Sequence, residues 1–122
     1  MNKKTVVVLG ASDKAERFSN KAIKKLKLYS HKVIPVHPRL TEIEGLLVAR
    51  DLTLITEEVD TLTLYVGPQR SKDLVEQIIA LRPKRVIFNP GTESLDLEQQ
   101  LNKHNIPFLK ACTLVMLDVG EF

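Results

Sequence analysis

The chain has 122 residues, 43% of them hydrophobic, a net charge of +3 and a pI near 9.1. That size gives one domain able to bury a core, and no apolar run approaches the length of a membrane span. The single cysteine, Cys112, excludes an internal disulfide and a thiolate zinc cluster, and so mild a basic excess does not by itself argue for nucleic-acid binding.

Lys4 to Leu9 is a short β-branched run closed by Gly10, the pattern of a strand buried on both faces of a parallel sheet. Ala22, Ile23, Leu26 and Tyr29 recur at helical spacing and predict a helix from Ser19, taken as N-cap, to Ser30. Lys32 to Val36 reads as a second strand, stopped at His37-Pro38 because proline has no N–H to donate. Arg39 to Gly45 reads as a loop, Leu46 to Val48 as a short third strand and Asp51 to Glu58 as a single helical turn. Thr61 to Val66 is the next strand, broken by Gly67-Pro68. A helix follows from Ser71 to Leu81, with Leu74, Val75, Ile78 and Ile79 inward and Pro83 just beyond. Arg85 to Phe88 is another strand, and Ser94 to His104 a helix with Leu97 and Leu101 inward and Asn105 as its C-terminal cap. Ile106 to Leu109 is a last short strand. The apolar Leu114 to Leu117 fits either a core segment or a homodimer contact.

Strands alternating with helices predict a single Rossmann-like α/β domain over residues 1–122: a doubly wound, mostly parallel sheet of about five strands with helices on both faces. In such sheets ligands bind beyond the carboxyl ends of the strands. Here those ends are Gly10-Ala11-Ser12, His37-Pro38-Arg39, Gly67-Pro68-Gln69-Arg70, Asn89-Pro90-Gly91-Thr92 and Lys110-Ala111-Cys112-Thr113. The first is the most informative. Val6 to Asn20 runs from strand through a small-residue turn and a loop with two cations, Lys14 and Arg17, into a helix. That order of parts suits a phosphate, because N–H groups at a helix N-terminus carry partial positive charge. Gly10 lets the chain turn, Ala11 and Ser12 keep the approach open, and the Ser12 hydroxyl can donate to a phosphate oxygen.

The G-x-G-x-x-G fingerprint of dinucleotide sites is absent, and no acid stands near the end of strand two to hold ribose hydroxyls. Between Glu16 and Glu42 there is no acidic residue at all, while Arg17 and Arg39 fall beside strand ends. A basic residue there suits a ribose phosphate, which both NADP and coenzyme A carry. Arg39 does not separate the two.

At this point the chain resembles the small single-domain coenzyme A-binding proteins, similar in turn to the N-terminal domain of the succinyl-CoA synthetase α subunit. The resemblance rests on Val8-Leu9-Gly10-Ala11-Ser12, Lys14 to Asn20, Val33-Ile34-Pro35-Val36-His37-Pro38, Glu42 to Gly45, Val59 to Val66, Asn89 to Glu93 and Cys112 to Leu117, in that order along nearly the whole chain. It implies that Gly10, Ala11, Ser12, Lys14, Arg17, Ser19 and Asn20 face the ligand's phosphates. It places His37, Pro38 and Arg39 near the adenosine end. Tyr65, Val66, Gly67 and Pro68 would line the site with Asn89, Pro90, Gly91 and Thr92, and the loop at Cys112 and Thr113 would close it. Two departures stand out: the first loop has fewer glycines than the synthetase type, and His37 replaces the Asn common before this proline.

No catalytic set is visible. His31, His37 and His104 lie far apart in sequence, and only His37 falls in the expected site. Asp13 and Glu16 are candidate bases, but acids beside a phosphate site usually pair with neighbouring Lys or Arg. Synthetase relatives use a phosphorylated histidine from another domain, so ligase activity by this chain alone is not expected. Cys112 at the rim could exchange with a ligand thiol, or be a buried structural thiol. The expected function is a cytoplasmic coenzyme A- or acyl-CoA-binding module, with no membrane or nucleic-acid partner and a homodimer or partner subunit as options. The alternative is an NADP- or other nucleotide-dependent enzyme. No metal site is expected.

Overall fold

A computed structural model describes residues 2–122. Along the chain run β1 (Thr5–Leu9), α1 (Phe18–Leu28), β2 (Lys32–Val36), β3 (Glu42–Ile43), β4 (Leu46–Leu47), a 3-10 turn (Leu52–Leu54) and β5 (Thr61–Leu64). Then come α2 (Pro68–Ser71), a second 3-10 turn (Lys72–Leu74), α3 (Val75–Leu81), β6 (Arg85–Phe88), α4 (Leu95–Lys103), β7 (Phe108–Lys110) and α5 (Thr113–Asp118). Five strands form one sheet in the order β2-β1-β5-β6-β7, every pair parallel. The fold is the expected Rossmann-like one. Strand order reverses between β1 and β5, so the crevice for a ligand opens at their carboxyl ends.

The alternation of side chains along each strand divides the core. Val7, Leu9, Leu62, Leu64, Val86 and Phe88 pack with Ile78 of α3 and Leu97 and Leu101 of α4. Val6, Val8 and Ile87 pack on the other face with Ile23 and Leu26 of α1 and Met116 and Leu117 of α5. A strand covered on both faces has no polar side, which is why β1 reads as unbroken valine: Val6, Val7 and Val8 are each 0% exposed. Pro35 is tolerated because β2 is an edge strand. Its carbonyl accepts from the Ala49 N–H, which partly covers that edge.

Several boundaries shift from the sequence reading. α1 begins at Phe18 with Arg17 as N-cap and no side-chain cap, so Ser19 sits buried inside the first turn. It ends at Leu28 because Ser30 turns left-handed (φ 65°). Leu46 and Leu47 do not join the main sheet. They pair antiparallel with Glu42 and Ile43, because Glu44 and Gly45 both take positive φ and close a two-residue hairpin. Thr61 to Val66 is strand only to Leu64, and the single helix expected from Ser71 to Leu81 is broken in two by the 3-10 turn. The last strand starts at Phe108 rather than Ile106. Ser94 does cap α4, accepting from the Leu97 N–H at 3.2 Å, and Asn105 (φ 58°) closes it, with the Ile106 N–H reaching the Leu101 carbonyl at 2.9 Å. Within Leu114 to Leu117, Met116 and Leu117 are core while Val115 is exposed.

At the opposite end of the sheet from the crevice, His31 is buried. Its Nδ1 accepts the Lys4 N–H at 3.0 Å and its ring lies 5.1 Å from that of Phe122. Burial, first, and then Lys4 and Arg85 push its pKa below the ordinary value, only partly offset by Asp60. The folded state therefore binds this proton less readily than the unfolded chain. The neutral-His31 contribution is complete above about pH 6.5 and is lost as pH falls from there toward the folded value. Denaturant midpoints between pH 7 and 5.5 should fall more steeply for the wild type than for His31→Leu; parallel slopes would contradict this.

Candidate functional site

The first loop is built around Gly10. Its φ is +89°, and a Cβ there would stand 2.9 Å from the backbone carbon and oxygen of Tyr65 and from Cγ1 of Val66. Only glycine both turns this way and lets β5 pass so close. The loop is then pinned. The Ala11 N–H donates to the Val36 carbonyl at 3.1 Å, and the Tyr65 N–H to the Leu9 carbonyl at 2.8 Å. Ser12 Oγ accepts the Lys14 N–H at 3.1 Å. Buried Asn20 reaches back from α1, its Nδ2 donating to the Ser12 carbonyl at 2.9 Å and to Glu44 Oε2 at 3.2 Å. The result is a fixed turn feeding a helix whose first N–H groups have no side-chain cap and no acid in the first turn.

These parts line one cleft of about 1080 Å³ at the carboxyl ends of the strands. Gly10, Ala11, Ser12, Lys14, Arg17 and Ser19 enter it from the first loop, and His37, Pro38 and Arg39 from the end of β2. Tyr65 and Gly67 come from beyond β5, and Pro90, Gly91 and Thr92 from beyond β6. Arg70, expected at a strand's carboxyl end, lines it too, and the sequence reading missed Arg50, Asp51, Leu52, Leu74 and Gln77, which also line it. Gln77 follows a recognisable strand-Gly-Pro stop, which could have marked its helix as a neighbour of the site. Arg50 stands in the irregular crossover from β2 to β5 and had no such signal.

The cations decide the electrostatics. Lys14, Arg17, Arg39, Arg50 and Arg70 are all exposed around the cleft, and among the described residues none of them forms an ion pair. Asp51, one of the cleft's few acids, already accepts the Thr53 N–H at 2.7 Å. Among the described residues Asp13 and Glu16 form no ion pair either, so the expected pairing with neighbouring cations is not seen there. Five forked or point charges with no internal partner leave a site suited to a multiply charged anion.

His37 shapes the β2 end rather than standing free. Its Nδ1 accepts both the Arg39 N–H at 3.0 Å and the Leu40 N–H at 2.9 Å, which puts the ring proton on Nε2. An Asn side chain accepts in the same way at the start of a turn. His37→Asn should therefore keep the stability of the protein. His37→Ala should lose about 1–2 kcal/mol, judged by denaturant unfolding; equal losses in both would sink the turn argument.

The remaining expected residues lie outside the cleft lining. Asn20 and Asn89 are buried and serve the backbone. Asn89 Nδ2 donates to Thr63 Oγ1 at 2.7 Å and to the Leu64 carbonyl at 2.8 Å, while its Oδ1 accepts the Thr113 N–H at 2.9 Å. Thr113 is buried, its hydroxyl 2.8 Å from that of Thr63. Val66 is core and Pro68 occupies the first turn of α2. Cys112 is half-buried at the N-cap of α5. Tyr65 spans both settings: it lines the cleft, yet burial pushes its phenol up to about 12, against the opposing pull of the Thr113 and Thr63 hydroxyls.

The parallel five-stranded sheet with an uncapped, cation-ringed turn at its switch point makes this a small Rossmann-like α/β domain. Residues 4–118 match the family described as CoA binding domain, and the chain belongs to that family. It is similar to an uncharacterized protein of known crystal structure, 40% identical, with a TM-score of 0.94 and 100% of each chain covered. A Thermus thermophilus protein, cell-free ID.343, is 28% identical with a TM-score of 0.90, over 98% of this chain and 91% of that one. The fold alone is shared with the dinucleotide-forming acetyl-coenzyme A synthetase 1 of Ca. Korarchaeum cryptofilum. That protein is 18% identical with a TM-score of 0.76, over 88% of this chain and 25% of its own. Comparison with curated sequences gave no match. Among the described residues no helix is long and apolar enough to cross a membrane.

Proposed function

We propose that the protein is a coenzyme A- or acyl-CoA-binding module whose β1–α1 turn holds the pyrophosphate and whose Arg39 side holds the ribose 3′-phosphate. The observation that carries this reading is the ring of five unpaired cations around an uncapped helix start, in a chain of the CoA binding domain family. An N-terminal helix end and Arg forks each favour phosphate oxygens, and coenzyme A brings three phosphates to them. The cleft residues hold, orient and shield the ligand. In this reading the module acts as a carrier, sensor or subunit.

Thermal unfolding with coenzyme A, dephospho-coenzyme A, NADP and NAD tests this. Ligand at a hundred times its dissociation constant adds about 2.7 kcal/mol, a shift of several degrees. Coenzyme A should give the largest shift, and dephospho-coenzyme A a smaller one. Arg39→Gln should weaken coenzyme A about tenfold or more and narrow that difference. A shift by NADP alone would favour the enzyme reading instead, and no shift with any ligand would overturn the proposal.

A further inference from the structure

Besides the phosphate turn, the cleft is lined by residues of the two 3-10 turns and of α3. Leu52 and Leu74 line it there as apolar walls, and both belong to the hydrophobic core cluster or pack on it. The cleft is also lined by Gln77 of α3, whose side-chain Oε1 is buried and has no hydrogen-bond partner among the described residues. A buried acceptor without a donor is costly, and the side chain adjoins the open cleft, so an occupant can supply the donor. Arg39 and Arg50, two of the unpaired cations, line the same cleft from the β2 end and the start of this segment.

We infer that Gln77 is the residue that reads the ligand's base, its Oε1 accepting a hydrogen from the exocyclic 6-amino group of adenine while Leu52 and Leu74 cover the ring. This rests on the proposed coenzyme A reading and adds specificity to it. An apolar slot fits a flat aromatic ring. An orphan carbonyl selects a ring bearing an N–H donor, and the amide of glutamine matches the donor–acceptor edge of adenine. The neighbouring arginines supply charge where the attached ribose phosphate would lie. A pantetheine amide N–H could also satisfy Oε1, so the probe should lack pantetheine.

Adenosine 3′,5′-bisphosphate and inosine 3′,5′-bisphosphate would be titrated calorimetrically against the wild type and Gln77→Met, which keeps the side-chain volume without the amide. Coenzyme A would be run alongside. The wild type should prefer the adenosine compound at least fivefold. Gln77→Met should bind both bisphosphates with nearly equal affinity, because the phosphate contacts remain. Equal binding of the two by the wild type, or an adenosine preference that survives in Gln77→Met, overturns the role of Gln77 while coenzyme A binding stands. A loss seen only with coenzyme A would assign Gln77 to the pantetheine arm and likewise overturn it. If neither bisphosphate nor coenzyme A binds, the function proposed above fails together with this one.

Discussion

Replacing Asn89 by alanine is expected to lower stability by about 3 kcal/mol, a fall of roughly 10 °C in the unfolding midpoint. One side chain here makes three hydrogen bonds to two elements: it donates to Thr63 Oγ1 and to the Leu64 carbonyl on β5, and accepts from the Thr113 N–H at the start of α5. All of these groups are buried, so truncation strands an N–H and a carbonyl where water does not reach. Asn89→Asp makes a sharper control. It keeps an acceptor for Thr113 but turns a second oxygen toward the Leu64 carbonyl, so it too should destabilise. Circular dichroism melts would check both; an Asn89→Ala protein within about 0.5 kcal/mol of wild type would show the network to be dispensable.

Gly10→Ala is expected to be comparably severe, at about 2–4 kcal/mol, and to abolish ligand binding at the turn in whatever protein remains folded. Two costs add. The positive φ is unfavourable for any L side chain, and the new methyl meets Tyr65 backbone atoms at 2.9 Å, just beyond β5, where the Tyr65 N–H is held to the Leu9 carbonyl and leaves little room to retreat. Gly91 is the internal control. It also has φ +89°, but nothing lies within 4 Å of where its Cβ would stand, so Gly91→Ala carries the conformational cost alone. Denaturant titration should give the larger loss for Gly10→Ala. The reverse order would mean that the close approach of β1 and β5 is softer than it looks.

The sequence carried the frame of the fold because burial leaves a strong trace. Val6-Val7-Val8 could only be a strand covered twice, and the spacing of Ala22, Ile23 and Leu26 could only face one way. It carried less where hydrogen bonding rather than hydrophobicity sets the path. The hairpin at Glu44–Gly45 depends on two left-handed residues, one of them a glutamate, and looked like loop. α1 starts two residues earlier than the Ser19 cap suggested, with Arg17 at the N-cap position and no side-chain cap. The candidate site follows the same division. Strand ends are readable because glycine and proline mark them, and most of the expected residues do meet in one cleft. Arg50 was not readable, because only the irregular path of the β2–β5 crossover brings it to the cleft. Asn20 and Asn89 lie outside the cleft lining, and their side-chain amides donate to backbone carbonyls that hold the loops in place.

The central claim is that the β1–α1 turn receives the phosphates of coenzyme A. The most direct test is an amide-resolved NMR titration of the isotope-labelled protein with coenzyme A. The predicted result is that the largest shifts fall on the N–H groups from Ala11 to Asn20 and extend to Arg39, with dephospho-coenzyme A sparing the latter. Saturable shifts that leave Ala11 to Asn20 unmoved, or no saturable shifts at all, would contradict it.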